Sequence, residues 1–290
     1  MKKQMKNQMK TFLVCMLLLS GANIYAQTEY ITEYEIQYEA KYSLDSLNLD
    51  TKTIEVFYLY TGKEYGVFMN HNTAHQDEIK AYNKEQMQFN NRSASTKSVS
   101  RETNYRRTFF KNRESNEIKV EAQILDETYL YKEPSVPLDW KIVDETKEYF
   151  DYTVQKATTS FAGRDYVAWF AVEIPINDGP YIFYGLPGLI VELYDTEEHY
   201  YFGLLNLEKL SEPKTWDIPN NVKEVTREEF KKVEPSGIEN LALMQNLSSI
   251  SVNDGTVTLT TKDGTDMSQG EFERMLRRRI RDKNNWIEKE

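Results

Sequence analysis

Glu29-Tyr30-Ile31-Thr32-Glu33-Tyr34-Glu35-Ile36-Gln37-Tyr38-Glu39-Ala40-Lys41-Tyr42 sets the fold class. Tyr30, Tyr34, Ile36, Tyr38, Ala40 and Tyr42 fall on one parity, and Glu29, Glu33, Glu35, Gln37, Glu39 and Lys41 on the other. That period of two is a half-buried antiparallel strand. Working outward, Thr53 to Tyr60 and Tyr65 to Asn70 flank Thr61-Gly62-Lys63-Glu64 as a hairpin. Tyr105 to Arg113 and Glu117 to Tyr131 repeat the pattern across a turn at Asn112 to Asn116. The segment opened by Trp140-Lys141-Ile142 reaches Tyr152 to Ala157, turns at Phe161-Ala162-Gly163-Arg164, and returns as Tyr166 to Phe170. Twenty tyrosines and 13% aromatics suit such sheets better than helices. The predicted architecture is mainly β (α+β): a curved antiparallel sheet or half-barrel of meander hairpins, with a few covering helices and a C-terminal helix.

On the amino side, Lys2, Lys3, Lys6 and Lys10 precede an apolar run from Phe12 to Leu19 and the small residues Ser20, Gly21 and Ala22. That order is a secretory signal peptide over 1–26, cut after Ala26. The apolar run is too short to span a bilayer, so no transmembrane span is expected after cleavage. The expected location is the periplasm or cell envelope, or the medium. Cleavage removes Cys15, the one cysteine, which excludes disulfides and thiol chemistry from the mature chain. It also removes four lysines and no acid, taking the formal net charge from −10 to −14. A polyanionic partner is disfavoured, and no nucleic acid is expected.

Residues 71–103 break the strand pattern and read as a polar insertion with a short helix around 75–88. His71 and His75 have the spacing of a two-histidine metal site. With no third ligand placed by the sequence they read as two solvated histidines, and no metal or cofactor is expected. After residue 210, Thr226-Arg227-Glu228-Glu229 is a capping box for a helix to Val233. Residues 237–249 predict a helix, Ile250 to Leu259 a hairpin around Asn253-Asp254-Gly255, and Ser268 to Glu271 a second capping box before a helix ending near Trp286. The division is therefore a sheet domain over 27–210 and C-terminal helices and hairpin over 211–290, packed on the same domain.

The densest stretch is Ile174-Pro175-Ile176-Asn177-Asp178-Gly179-Pro180, which leaves the sheet, and Gly185-Leu186-Pro187-Gly188-Leu189-Ile190. Pro187 and Gly188 have the order a type II turn requires, with Gly188 at positive φ, and Gly185 is expected to admit a close backbone approach. Leu186, Leu189 and Ile190 point into a core or form the lip of a pocket. Lys156 and Arg164 would share a face across the Gly163 turn, in a salt-bridge ladder with Asp165 or Glu173 or as an anion contact. Trp140 and Trp169 read as core.

These residues carry a resemblance. Trp140, Gln155-Lys156-Ala157-Thr158-Thr159, Arg164, Trp169, Ile174-Pro175-Ile176, Gly179-Pro180 and the hexad together resemble the GLPGLI family of secreted proteins. The resemblance implies cell-envelope work beside outer-membrane transporters and assigns no reaction. Many members carry a cysteine where this chain has Val154, so a thiol role does not transfer. No G-x-S-x-G elbow, H-E-x-x-H helix or Gly-rich phosphate loop occurs, and no catalytic residue is assigned. Three readings follow. The first is an accessory protein binding an apolar small molecule or lipid, contacted by Lys156, Arg164, Trp169, Pro175, Pro180, Leu186, Leu189 and Ile190, with Gly185, Pro187 and Gly188 as a structural turn. The second is a module docking on an outer-membrane transporter, and the third a carboxylate-dependent hydrolase.

Overall fold

Alternating strands that share one apolar parity associate edge to edge, and here twelve of them do so in one sheet. The structure is a computed structural model. It describes residues 29–43, 49–50, 52–75, 107–124, 127–134, 138–234, 247–253 and 256–268, with a few helical residues from 270 on. The signal peptide, the 75–88 helix beyond His75 and most of the helix ending near Trp286 lie outside them.

The strands are β1 (Tyr30–Tyr42), β2 (Thr53–Thr61), β3 (Tyr65–Asn70), β4 (Arg107–Asn112), β5 (Glu117–Ile124), β6 (Glu127–Lys132), β7 (Lys141–Tyr149), β8 (Tyr152–Phe161), β9 (Arg164–Ala171), β10 (Leu189–Asp195), β11 (Tyr200–Trp216) and β12 (Lys223–Glu224). Their order is β12-β6-β5-β4-β3-β2-β1-β11-β10-β9-β8-β7, in a curved, unclosed sheet that is antiparallel except where β12 runs parallel to β6. The expected mainly β, curved sheet is what forms. The run Glu117 to Tyr131, read as one strand, is two, because β5 and β6 pair as a further hairpin with Ile124 opposite Glu127.

Two apolar clusters cover the two faces. The inner one takes Ile36, Tyr38, Ala40 and Tyr42 from β1, Phe57 and Leu59 from β2, Phe109 from β4 and Val120 from β5. The outer one gathers Tyr58, Tyr60, Val67, Met69 and Phe110. Tyr30 was expected on the face of Ile36, yet it joins the outer cluster, beyond a register shift between Thr32 and Tyr34. The bulge moves the strand's end to the opposite face.

The helix α1 (His71–Ala74) follows β3 directly and is capped by the Asn70 side chain. Helix α2 covers residues 227–234. Its capping box forms as the sequence predicts, with Thr226 N donating to Glu229 Oε2 at 2.8 Å and Glu229 N to Thr226 Oγ1 at 3.2 Å. Phe230 of α2 stacks on Tyr131, 4.7 Å between centroids, and closes the inner face over β6. A separate three-stranded sheet comprises β13 (Leu247–Asn253), β14 (Thr256–Thr261) and β15 (Asp266–Ser268). Residues 247–249, expected in a helix, therefore begin a strand; the rest of that helix lies outside the described residues. The second capping box also forms, with Ser268 N donating to Glu271 Oε2 at 3.0 Å. Among the described residues no helix is long and apolar enough to cross a membrane.

Candidate functional site

The segment between β9 and β10 decides what the inner face can hold. Its three prolines deny the ladder donors, so it leaves the sheet and folds back across it as a plug. Ile174, Ile176, Tyr181, Ile182, Phe183 and Leu186 are all buried in the inner cluster. Tyr181 meets Phe109 edge to face at 4.7 Å, and Phe183 lies 4.6 Å from Tyr166. The inner face of the sheet is thus filled by the chain itself. Pro180 is buried within the plug, whereas Pro175 and Pro187 stand at its surface.

The hexad ends this plug, and its glycines exchange the roles expected of them. Gly185 has φ +102°, and the nearest atoms to an added Cβ would be those of Trp140 at 3.7 Å, so it is glycine for conformation. Gly188 lacks positive φ, so the expected type II turn does not form. A Cβ there would lie 2.2 Å from the Ala171 carbonyl oxygen, so Gly188 is glycine for proximity to the end of β9. Leu189 and Ile190 are fully buried, and the Ile190 carbonyl accepts a 2.7 Å hydrogen bond from the Tyr38 hydroxyl. Trp140 is half-buried outside any strand, and its Nε1 donates to the Tyr184 carbonyl at 2.8 Å.

The plug is pinned by Asp178, its one buried acidic residue, whose significance the sequence reading missed. Its carboxylate is fully buried and pairs with Lys111 of β4 and, at 2.5 Å, with Arg113. Thr61 Oγ1 donates to Oδ2 at 2.8 Å and the Gly179 amide to Oδ1 at 2.9 Å. Lys111 Nζ also donates to the Gly179 carbonyl at 2.8 Å. Burial alone would raise the Asp178 carboxyl, but Lys111 and Arg113 outweigh it and hold the group below the ordinary aspartate range.

Arg164 and Lys156 do not form the expected ladder. Lys156 sits opposite Trp169 in the β8–β9 register, which places Arg164, five residues earlier than Trp169, on the other face. Lys156 pairs outside with Glu145 at 2.7 Å. Trp169 is buried, with the Lys147 ammonium 4.3 Å from its ring. Arg164 is buried, with its Nη1 2.8 Å from Asp195, 3.3 Å from Glu197 and 3.0 Å from His199 Nδ1. Asp195, Glu197 and His199 have the composition of a metal site. The guanidinium already occupies the position in which a cation would meet all three, so the cluster is an internal ion network. Arg164→Lys retains the charge but, on a shorter side chain, brings its nitrogen short of the point where these three contacts converge. It is expected to cost about 1–2 kcal/mol by chemical denaturation, with the fold intact by circular dichroism.

A cleft of about 260 Å³ lies between the plug, the β8–β9 turn and α2, beside a larger and more open groove along β6 and α2. Its apolar wall is Ile118, Leu138, Phe161 and Ile182. At one end Arg227 Nε meets the buried Glu133 carboxylate at 2.8 Å; at the other the Tyr184 hydroxyl donates to Asn116 Oδ1. Burial raises the Tyr184 hydroxyl above its usual range, so it stays a donor at neutral pH. None of the expected contact residues Lys156, Arg164, Trp169, Pro175, Pro180, Leu186, Leu189 or Ile190 lines this cleft. The sequence signal that pointed nearby was the Phe161-Ala162-Gly163 turn, where Ala162 takes φ +46°.

Residues 163–192, from that turn to the middle of β10, match a family model. It describes a protein of unknown function, Porph_ging. The matched stretch contains the whole plug, the hexad and Arg164. No curated protein matches the chain. Among solved structures the chain is similar to PNGF-II in two crystal forms, P21 and C2, each with TM-score 0.50 and 16% identity over 81% of this chain and 39% of that one. The Porph_ging match carries no reaction, and the PNGF-II likeness is one of fold. The chain spans about two fifths of the PNGF-II chain.

Proposed function

We propose that this chain is an exported, non-enzymatic binding module of the cell envelope that takes a small ligand with an apolar body in the cleft beside the plug. The observation that carries the reading is the cleft's composition: an apolar wall with a charged pair at one end and a tyrosine donor at the other. Such a lining fixes orientation with a few polar groups and holds the ligand by apolar burial. The volume, below that of drug-sized sites, sets the ligand as small. The filled inner face argues against a lipid carried inside the sheet. A single carboxylate, Glu133, lines the cleft and is paired with Arg227, so two-carboxylate hydrolysis has no support there.

The test is extraction and mass spectrometry of small molecules released from gently purified protein, wild type against Phe161→Asp. A species present near one equivalent in wild type and absent from the variant is expected. An empty extract from both sinks the reading.

Docking on a partner such as an outer-membrane transporter is the second reading. Phe150, Val172 and Leu205 are exposed by 69%, 54% and 49%. The register through Tyr149–Tyr152, Val154–Ala171 and Ala171–Leu189, continued to β11 by Glu192–Gly203, sets all three at the same end of the sheet. Exposed apolar side chains grouped in this way mark contact surfaces. Crosslinking in envelope extracts should capture a transporter with wild type and lose it with Phe150→Ser/Leu205→Ser; equal capture by both would remove this reading.

A further inference from the structure

His71 opens α1 and is exposed, as the polar setting predicts, and His75 caps the helix half-buried. Their rings lie 4.5 Å apart between centroids, and both pack against Tyr58 of β2, at 5.6 Å for His71 and 4.9 Å for His75. His75 Nδ1 is 3.1 Å from the His71 carbonyl oxygen, and His71 Nδ1 is 3.3 Å from the Tyr58 hydroxyl. A carbonyl only accepts, so His75 carries its proton on Nδ1 and its lone pair on Nε2. Donation of Nδ1–H to a backbone carbonyl is the outer-shell arrangement that orients a ligating imidazole.

We propose that His71 and His75 form a two-imidazole chelate for a late divalent transition ion, with Cu(II) favoured. Two imidazoles four residues apart, with rings this close, are spaced for one ion to bridge them. Imidazole nitrogen suits zinc, copper and nickel, and of the first-row divalent ions Cu(II) binds such donors most strongly. Among the described residues no third histidine, cysteine or carboxylate groups with these two, so water completes the coordination and the ion exchanges. This site is separate from the cleft and does not depend on the reading given to it.

The test is titration of tag-free full-length protein with CuCl2, followed by calorimetry and electron paramagnetic resonance. One equivalent with two nitrogen ligands is expected. His75→Ala should weaken binding more than tenfold and leave one nitrogen. Tyr58→Phe, which keeps the ring and removes the hydroxyl that orients His71, should weaken it about tenfold or more. Circular dichroism of each variant separates these losses from unfolding. The proposal is overturned if no stoichiometric binding occurs or if the His71→Ala/His75→Ala variant binds as wild type does. It is equally overturned if binding survives that double variant and is lost in Glu197→Gln, which would place the ion at the Arg164 cluster.

Discussion

Asp178→Ala is expected to lower the unfolding free energy by about 3–5 kcal/mol, because it strands the buried Lys111 ammonium without its counter-ion. In a chain of this size that is a fall in Tm on the order of 10 °C. Arg113 is less affected, since it keeps the carbonyl oxygens of Gly62 and Lys63. Asp178→Leu combined with Lys111→Met should therefore recover most of the loss, because two matched apolar side chains replace a desolvated pair. A double-mutant cycle isolates the coupling, and additive single effects would show that the pair does not pin the plug. The same carboxylate sets a pH dependence. Its folded value lies below its unfolded one, so its contribution is complete above the ordinary aspartate range and disappears as the pH falls through the depressed folded value. Urea unfolding of wild type should weaken on acidification through that window, and Asp178→Asn should remove this part of the slope.

Gly188→Ala is the second large effect. Its Cβ would lie 2.2 Å from the Ala171 oxygen, 2.7 Å from the Ala171 carbonyl carbon and 3.0 Å from the Val172 Cα. These are backbone atoms at the end of β9 and cannot rotate away, so the plug must lift or the β9–β10 pairing must open, at about 3 kcal/mol or more. Gly185→Ala meets no atom within van der Waals overlap and incurs only its unfavourable φ, about 1–3 kcal/mol. Parallel denaturation curves should rank Gly188→Ala as the more damaging; the reverse order would restore the type II turn that Pro187-Gly188 suggests.

The sheet was legible because alternation is a local signal. Tyr34 to Tyr42, the Thr61–Glu64 turn and both capping boxes were read from neighbours along the chain. The β5–β6 turn was missed because alternation continued on either side of it. The site was far less legible, because its determinants are distant in sequence: Asp178 and Lys111 are 67 residues apart and Tyr184 and Asn116 are 68. One signal was available. Asp178 is the single charged residue from Ile174 to Val191, and an isolated charge in an apolar stretch needs a partner when buried. Gly188 was misread because proline followed by glycine fits a turn on local grounds, whereas its constraint comes from the neighbouring strand. Arg164 was placed on the wrong face because register was not yet fixed.

The β1–β11 ladder has a consequence for the order of assembly. Thr32 bonds to Lys214 across 182 residues, so the centre of the sheet closes only when the chain has been delivered as far as β11. Until then β1 shows its apolar parity with one flank unpaired, beside the locally formed hairpins β2–β3 and β4–β5. Non-local closure of this kind gives slow folding and leaves strand edges open to aggregation. Truncation before residue 200 should therefore yield an aggregating product, even though ten of the twelve strands of the large sheet would be present.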